Sequence, residues 1–156
     1  MKNTAILLCV TAFFVACGQQ PEPVAQSEAE TETVEVGTEA EIQEIQWIHD
    51  DFDAAAALAV GEGKLIFIDF YADWCPPCQT LADEYFPRPD YQQFLSGVVT
   101  LKVNVDNEPD MAQRYSVSSI PTLVLTDAQG NELDRVVGIT GSPEEFLVVL
   151  EGLGAN

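Results

Sequence analysis

A nearly continuous apolar run at residues 65–71, Leu-Ile-Phe-Ile-Asp-Phe-Tyr, constrains the fold of this chain more than any other stretch. Its β-branched and aromatic residues, without polar alternation, are typical of a strand that is buried on both faces of a sheet. Residues 79–86 then place apolar side chains at helical spacing. The sequence therefore predicts a buried strand that turns directly into a helix.

Two cysteines, Cys75 and Cys78, lie at that turn within the sequence Trp-Cys-Pro-Pro-Cys of residues 74–78. Unpaired N–H groups and the macrodipole at a helix start favour a negative charge, and the thiolate is the nucleophilic form of cysteine. Proline is tolerated there because the missing N–H of the first helical turn would have no partner anyway. The two intervening residues let the sulfurs meet across one turn, so the pattern predicts a redox-active pair.

Two other interpretations of the pair are weaker. A zinc site usually needs four ligands, and the only other candidates are His49 and the cysteines Cys9 and Cys17, which lie in an N-terminal leader. A purely structural disulfide is the second alternative, but a chain that can build a sizeable core has little need of one. We treat His49 as an ordinary surface residue.

Charge and length limit the classes of function. The chain has 156 residues, enough for one domain with additional segments, and a net charge of −20 from 6 basic and 26 acidic side chains. We therefore do not expect the chain to bind nucleic acid through phosphate contacts.

Residues 1–16 are predicted to be an export signal, because Lys2 precedes an apolar stretch that is too short for an ordinary membrane span. The alternative is a single N-terminal membrane anchor. Residues 14–18 resemble the lipobox of bacterial lipoproteins, in which the cysteine, here Cys17, is lipidated and becomes the new N-terminus. Gly18 after it favours the outer membrane. Ordinary secretion with cleavage near this point is the alternative.

Residues 17–46 are predicted to be an acidic, disordered tether. Residues 19–46 contain many glutamates and no Lys or Arg, with prolines and small polar residues filling much of the rest. Such a segment buries too little apolar surface to offset the entropy of the chain. A specific acidic docking segment is the alternative, although charge runs are more often solvated linkers.

Residues 47–156 are predicted to form the folded domain. Helices between the early strands imply parallel crossovers and a late hairpin adds antiparallel strands, so we expect an α/β fold with a mixed sheet and helices on both faces. The predicted elements are a helix at 51–60 that ends at Gly61 and Gly63, a strand at 64–71, the helix after Cys78, a helix at 90–95 capped by Asp90, a strand at 98–105, a helix at 110–115, strands at 122–126 and 132–137, and a helix from Pro143 to Leu150 capped by Ser142.

This order of elements, with the cysteine pair at a strand-to-helix turn, resembles the thioredoxin family over residues 47–153. The matching motifs lie at residues 68–78, 102–106, 120–122 and 137–138. Tyr-Ala-Asp-Trp-Cys at residues 71–75 is closest to the C-terminal thioredoxin domain of the transmembrane reductases that send electrons into the bacterial periplasm. The Pro-Pro pair departs from the Gly-Pro of ordinary thioredoxins and is shared with tryparedoxin and nucleoredoxin relatives.

The resemblance implies roles for four catalytic residues. Cys75 corresponds to the exposed attacking cysteine, and Cys78 to the more buried resolving cysteine with which it forms the redox-active disulfide. Asp69 corresponds to the buried acid that moves a proton to or from Cys78; an acid in a purely structural ion pair is the alternative. Lys102 corresponds to the lysine near that acid; the alternative is a plain surface lysine.

The resemblance also implies a substrate-binding surface made by Trp74, Pro76, Ile120, Pro121 and Gly138. Pro121 corresponds to the cis-proline that faces the disulfide, where the preceding backbone pairs with a substrate strand. Trp74 would flank the site, with core packing as the alternative. Gly138 is expected to allow close approach of backbone beside the site.

The resemblance points to a thiol–disulfide oxidoreductase of the bacterial cell envelope, on the periplasmic side, with reduction favoured over oxidation. Its expected substrates are disulfide-bonded envelope proteins, and its expected electron donor is a membrane thiol reductase. It implies no metal or organic cofactor. The rival interpretations are a dithiol oxidase or isomerase that introduces disulfides, and a non-catalytic adaptor that uses the fold to bind a partner.

Overall fold

The strands of this computed structural model, which describes residues 44–154, form one mixed sheet in the order β1-β3-β2-β4-β5. Strand β2 pairs in parallel with β3 and antiparallel with β4, and β4 and β5 form the late antiparallel hairpin. The predicted mixed sheet is therefore confirmed. The strand bounds are β1 (Ile48–His49), β2 (Ile66–Tyr71), β3 (Val99–Asn104), β4 (Thr122–Thr126) and β5 (Glu132–Val137).

The helices begin and end largely where local capping signals lie. Asp51 accepts a hydrogen bond from the Ala54 N–H at 2.9 Å at the start of α1, and Gly63 ends α1 with a left-handed φ of 65°. Ser142 and Glu145 form a reciprocal capping box at the start of α5. The helix bounds are α1 (Phe52–Glu62), α2 (Pro76–Thr80), a π-helical turn (Leu81–Tyr85), α3 (Pro89–Ser96), α4 (Pro109–Arg114) and α5 (Pro143–Glu151).

Two details of the predicted elements are wrong. Asp90 does not cap α3, because Pro89 takes the first helical position and Arg88 is the N-cap. Strand β1 was not among the predicted strands; it has only two residues, which pair with Leu101 and Lys102 of β3.

Some predictions lie outside the described residues. They are the export signal at residues 1–16, the lipidated Cys17 and the tether up to residue 43. Within residues 44–154, no helix is both long enough and apolar enough to cross a bilayer.

Strand β2 separates two apolar cores because its side chains alternate between the faces of the sheet. Ile66, Ile68 and Phe70 belong to the core that includes α1, with Met111 of α4 packed against it. Phe67 belongs to the other core, which contains residues of the π-helical turn, α3 and α5. By this alternation Asp69 lies on the same face of the sheet as Phe67, the face covered by the π-helical turn, α3 and α5.

Candidate active site

A disulfide joins Cys75 and Cys78, whose Cα atoms are 5.3 Å apart. Cys75 is the N-cap residue of α2, and its Sγ accepts a hydrogen bond from the Cys78 N–H at 3.3 Å. The strand-to-helix turn therefore places the first sulfur where a backbone donor stabilises negative charge on it.

The expectation that Cys75 is exposed is wrong for this oxidised state. Cys75 is 2% exposed and Cys78 is 3% exposed, so the two are equally buried. The reason is packing: both sulfurs lie in a small cluster with Ala72, against which Val105 and Ile120 pack.

Asp69 is a buried carboxylate in the middle of the sheet. It is 1% exposed, and it pairs in register with Lys102 of β3 on one side and Leu123 of β4 on the other. Neither of its carboxylate oxygens has a hydrogen-bond partner. Burial raises the pKa of Asp69 from 3.8 to about 7, against the opposing charge of Lys102, which lowers it. At neutral pH this group can therefore both accept and donate a proton.

Lys102 is the cation nearest to this acid within the described residues. Its Nζ lies 3.9 Å from Asp69 Oδ2, and its side chain is only 14% exposed, so the alternative of a plain surface lysine is wrong. A cavity of about 200 Å³ is bordered by both this lysine and Cys78; it is lined by Tyr71, Ala72, Asp73, Cys78, Gln79, Ala82, Asp83 and Lys102. Lys102 and Cys78 therefore border the same space, and Asp69 adjoins it through its ion pair with Lys102.

The Ile120–Pro121 peptide bond is cis, as the resemblance implies. Pro121 is buried, and its carbonyl accepts a hydrogen bond from the Gly138 N–H at 2.8 Å. Gly138 was expected to allow close approach of backbone, but among the described residues a β-carbon there would meet nothing within 4 Å. Its φ of 76° instead explains the glycine, since that conformation strains other residues.

Trp74 lies beside the disulfide on the surface. It is 66% exposed, so the alternative of core packing is wrong, and its Nε1 donates a hydrogen bond to Asp106 Oδ2 at 2.8 Å. Its ring helps to line a groove of about 360 Å³, formed by Trp74, Val105, Val117, Ser118, Ser119 and Ile120. Pro76 is exposed at the first position of α2.

Two sets of residues at the site were missed by the sequence analysis. The first is Asp106, the last residue of the motif at residues 102–106, whose position directly after the second predicted strand could have indicated a partner for Trp74. The rings of Trp47, Tyr71 and Phe86 surround the Lys102 ammonium at 5.1, 5.4 and 5.6 Å. They are far apart in sequence, and no local pattern indicates that they meet.

Comparisons with known proteins agree with this geometry. A family profile described as a thioredoxin-like domain matches residues 52–154. The chain is 45% identical over 91 residues to Thioredoxin-T of Drosophila melanogaster, covering 57% of this chain and 54% of that protein. It is 35% identical over 127 residues to the thiol:disulfide interchange protein DsbD of Cronobacter sakazakii, covering 78% of this chain and 20% of that protein.

These matches thus span about half of the first relative and a fifth of the second. Among solved structures, a thioredoxin from Thermus thermophilus superposes with a TM-score of 0.60 at 27% identity. That superposition covers 69% of this chain and 85% of the Thermus protein.

Proposed function

Since this chain belongs to the family of thioredoxin-like domains, we propose that it is a thiol–disulfide oxidoreductase that reduces protein disulfides in the bacterial cell envelope. The observation that carries the proposal is the Cys75–Cys78 disulfide at the start of α2, against which Ile120 of the cis Ile120–Pro121 bond packs. The names of its relatives, thioredoxin and thiol:disulfide interchange protein, support the same chemistry.

The first step is attack by the Cys75 thiolate on one sulfur of a substrate disulfide. The substrate S–S bond breaks, a bond forms between Cys75 Sγ and the attacked sulfur, and the other substrate sulfur leaves as a thiolate that takes a proton from water. The Cys78 N–H donor and the position of Cys75 at the start of a helix favour the thiolate that this step needs.

In the second step Cys78 resolves the mixed disulfide. Its thiol gives a proton to the Asp69 carboxylate and attacks Cys75 Sγ, which releases the second substrate thiolate and leaves the enzyme disulfide. Two electrons have passed from the enzyme dithiol to the substrate. The pKa of about 7 for Asp69 suits this role, because a proton acceptor works best when its pKa is near the working pH.

The substrate-binding surface in this proposal consists of Trp74, Pro76, Ile120, Pro121 and Gly138. The exposed Trp74 ring and the groove beside it offer apolar contact next to the disulfide. The backbone before Pro121 would pair with an extended substrate segment. Disulfide-bonded envelope proteins are the proposed substrates.

The direction of electron flow is tested by the equilibrium reduction potential of Cys75 and Cys78. We would use the full chain with Cys9→Ser and Cys17→Ser, so that these two are the only thiols. A potential near that of thioredoxin, about −270 mV, supports a reductase, whereas a value near about −120 mV overturns the direction and favours an oxidase.

The chemistry is tested by two cysteine variants in a single-turnover reduction of a disulfide peptide. Cys75→Ser should abolish the reaction, and Cys78→Ala should stop it at a mixed disulfide on Cys75 that mass spectrometry detects. Survival of the cellular function in cells that carry Cys75→Ser would favour the adaptor interpretation instead.

The envelope location rests on the leader at residues 1–16 and on Cys17. In this proposal Cys17 carries a lipid, with the outer membrane favoured by Gly18. The tether of residues 17–46, whose last residues already contact the domain through Ile45 and Gln92, holds the catalytic domain on the periplasmic side. A membrane thiol reductase then returns the enzyme to its dithiol form. The test is metabolic labelling with a fatty acid: Cys17→Ser should lose the label and leave the membrane fraction, and persistent labelling would contradict the anchor.

A further inference from the structure

The ammonium of Lys102 lies near aromatic rings as well as near Asp69. Its ion pair with Asp69, at 3.9 Å, is too long for a direct hydrogen bond. Three ring centroids lie within 5.1–5.6 Å of Nζ. Aromatic faces carry partial negative charge, so each ring attracts a cation at this distance.

These rings belong to parts of the chain that are distant in sequence. Trp47 directly precedes β1, Tyr71 ends β2, and Phe86 follows the π-helical turn. We call these three residues the ring wall. It forms because β1 pairs with β3 next to Lys102 and because the π-helical turn ends at the same place, with the Phe86 N–H bonded to the Leu81 carbonyl.

The ring wall is held in place by its own contacts. The Trp47 and Phe86 centroids are 5.0 Å apart, and both rings also lie within 6.5 Å of the Phe67 ring. The buried Gln92 side chain accepts a hydrogen bond from the Ile45 N–H at 2.9 Å and donates one to the Phe86 carbonyl at 2.6 Å. The segment that carries Trp47 is thereby tied to Phe86.

Lys102 also lies between two cavities, and both are lined by Ala82 and Lys102. The smaller cavity reaches Cys78. The larger one, of about 390 Å³, is lined by Trp47 and Phe86 and also by the acid Glu44. Without the rings, the ammonium could turn into the larger cavity towards Glu44 and away from Asp69.

We propose that Trp47 and Phe86 are positioning residues. They hold the Lys102 ammonium beside Asp69 and facing the smaller cavity, which reaches Cys78. The inference rests on the proton-transfer role proposed for Asp69, and it assigns a function to Trp47, at the N-terminal boundary of the domain, outside the cysteine motif. The other ionisable groups that line the two cavities are Glu44, Tyr71, Asp73 and Asp83.

The test is the titration of Asp69 itself, by carbon NMR of the oxidised full chain labelled at its aspartate carboxyl groups, with Asp69→Asn to assign the signal. Since Lys102 lowers the pKa of Asp69, a variant in which the Lys102 ammonium can move away from Asp69 should have a higher Asp69 pKa. We expect Trp47→Leu to move the midpoint upward by about 0.5 pH unit, the size expected from the loss of one cation–π contact. Trp47→Phe, which keeps a ring, should restore most of the original midpoint.

Two further variants separate positioning from simple packing. Phe94→Leu removes a ring that contacts Phe67 at 5.7 Å in the same core, yet that ring is not among those facing Lys102, so it should lower stability and leave the Asp69 midpoint unchanged. Lys102→Met should raise the midpoint, and adding Trp47→Leu to it should produce no further upward shift, because the wall acts through the ammonium.

A downward or absent shift in Trp47→Leu, an equal shift in Phe94→Leu, or a further upward shift in the double variant would overturn the inference. If Trp47→Leu does not fold, Phe86→Leu tests the same wall. The Asp69 midpoint is measured without turnover and does not depend on the direction of electron flow. An oxidising reduction potential of the Cys75–Cys78 pair would therefore overturn the proposed direction and would not affect this inference.

Discussion

At the scale of the residue, Asp69 is the most unusual group of the described chain, because it is buried and both of its oxygens lack a hydrogen-bond partner. A buried polar group without a partner costs free energy, and an ionised one costs more. Among residues 44–154, its only ion-pair partner is Lys102 at 3.9 Å. The energetic cost of Asp69 should therefore depend strongly on pH.

Asp69→Asn should remove a pH dependence of stability. In the unfolded chain this acid ionises near 3.8, whereas in the native protein it stays protonated up to about 7. Between these values the native state binds more protons, so this group makes stability fall as pH rises. From pH 4 to pH 8 the stability of the Asn variant relative to the wild type should increase by on the order of 4 kcal/mol.

Urea unfolding of the oxidised protein at several pH values measures this difference. Asp83→Asn is the matched control, because Asp83 is an exposed acid that lines the cavity next to Cys78. That variant should follow the wild-type pH dependence. Parallel curves for Asp69→Asn and wild type would show that Asp69 is ionised in the native protein throughout this range.

Trp74→Ala should weaken substrate binding with little change in stability. The indole is 66% exposed and lines the groove beside the disulfide, so its truncation removes contact with substrate and little core packing. We expect the KM for a disulfide-bonded peptide to rise several-fold, kcat to change less, and the free energy of unfolding to stay within about 0.5 kcal/mol.

Val148→Ala is the control for Trp74→Ala, since Val148 is an apolar side chain of α5 with a similar exposure of 67%. It should leave both kinetic constants unchanged. An unchanged KM in Trp74→Ala would remove the indole from the proposed substrate surface.

The sequence predicted the burial of Asp69 because this acid lies within an apolar run, which is local information. It did not predict the burial of Cys75, which depends on Val105 and Ile120 from other parts of the chain. The ring wall around Lys102 was missed for the same reason. Residues that are remote in sequence meet only through strand register and helix packing, which no single stretch encodes.

At the scale of the element, α3 connects the N-terminal segment to the active site through Gln92. Gln92→Leu keeps an apolar stem but leaves the Ile45 N–H and the Phe86 carbonyl without their partner. We expect the free energy of unfolding to fall by about 1–3 kcal/mol, since unpaired buried polar groups are costly. Amide hydrogen exchange at Ile45 should become faster.

Gln93→Leu provides the matched control on the same helix, because Gln93 is exposed whereas Gln92 is buried. This variant should change the free energy of unfolding by no more than about 0.5 kcal/mol, and it should leave amide hydrogen exchange at Ile45 unchanged. Equal effects of the two substitutions would contradict a specific role for the Gln92 bridge.

Elements with local signals were predicted with nearly their observed bounds. Helix α1 has Asp51 and Gly63 at its ends, and β4 and β5 flank a turn of strong turn-forming residues, so each is specified by neighbouring residues. Strand β1 is too short to have a pattern and exists through its pairing with β3. The π-helical turn at Leu81–Tyr85 has no sequence signature that we recognised, although it places Phe86 against Lys102.

At the scale of the whole molecule, the basic side chains of residues 44–154 are held by contacts within the domain. Four of them pair with acids, and Arg114 lies over the rings of Phe52 and Tyr115. The pairs are Lys64 with Glu62, Arg88 with Asp90 and Glu144, Lys102 with Asp69, and Arg135 with Glu132. The exposed acids near the disulfide include Asp73, Asp83 and Asp106.

This distribution predicts a preference for cationic substrates. A surface of one sign raises the local concentration of oppositely charged partners and speeds their encounter. Two disulfide peptides that differ only in lysine or glutamate beside the cysteines should therefore differ in kcat/KM, with the lysine peptide on the order of tenfold faster at low salt. The two rates should converge towards 1 M salt, where the screening length falls to about 3 Å.

Substitution locates the origin of this preference. Asp73→Asn combined with Asp83→Asn should narrow the gap between the two peptides, because both acids line the cavity at Cys78. Glu151→Gln, at the C-terminal end of α5, should leave the gap unchanged if the effect is local to the site. A gap that narrows by the same amount per charge removed in both variants would assign the preference to the net charge of −20 instead, and equal rates at low salt would contradict electrostatic selection altogether.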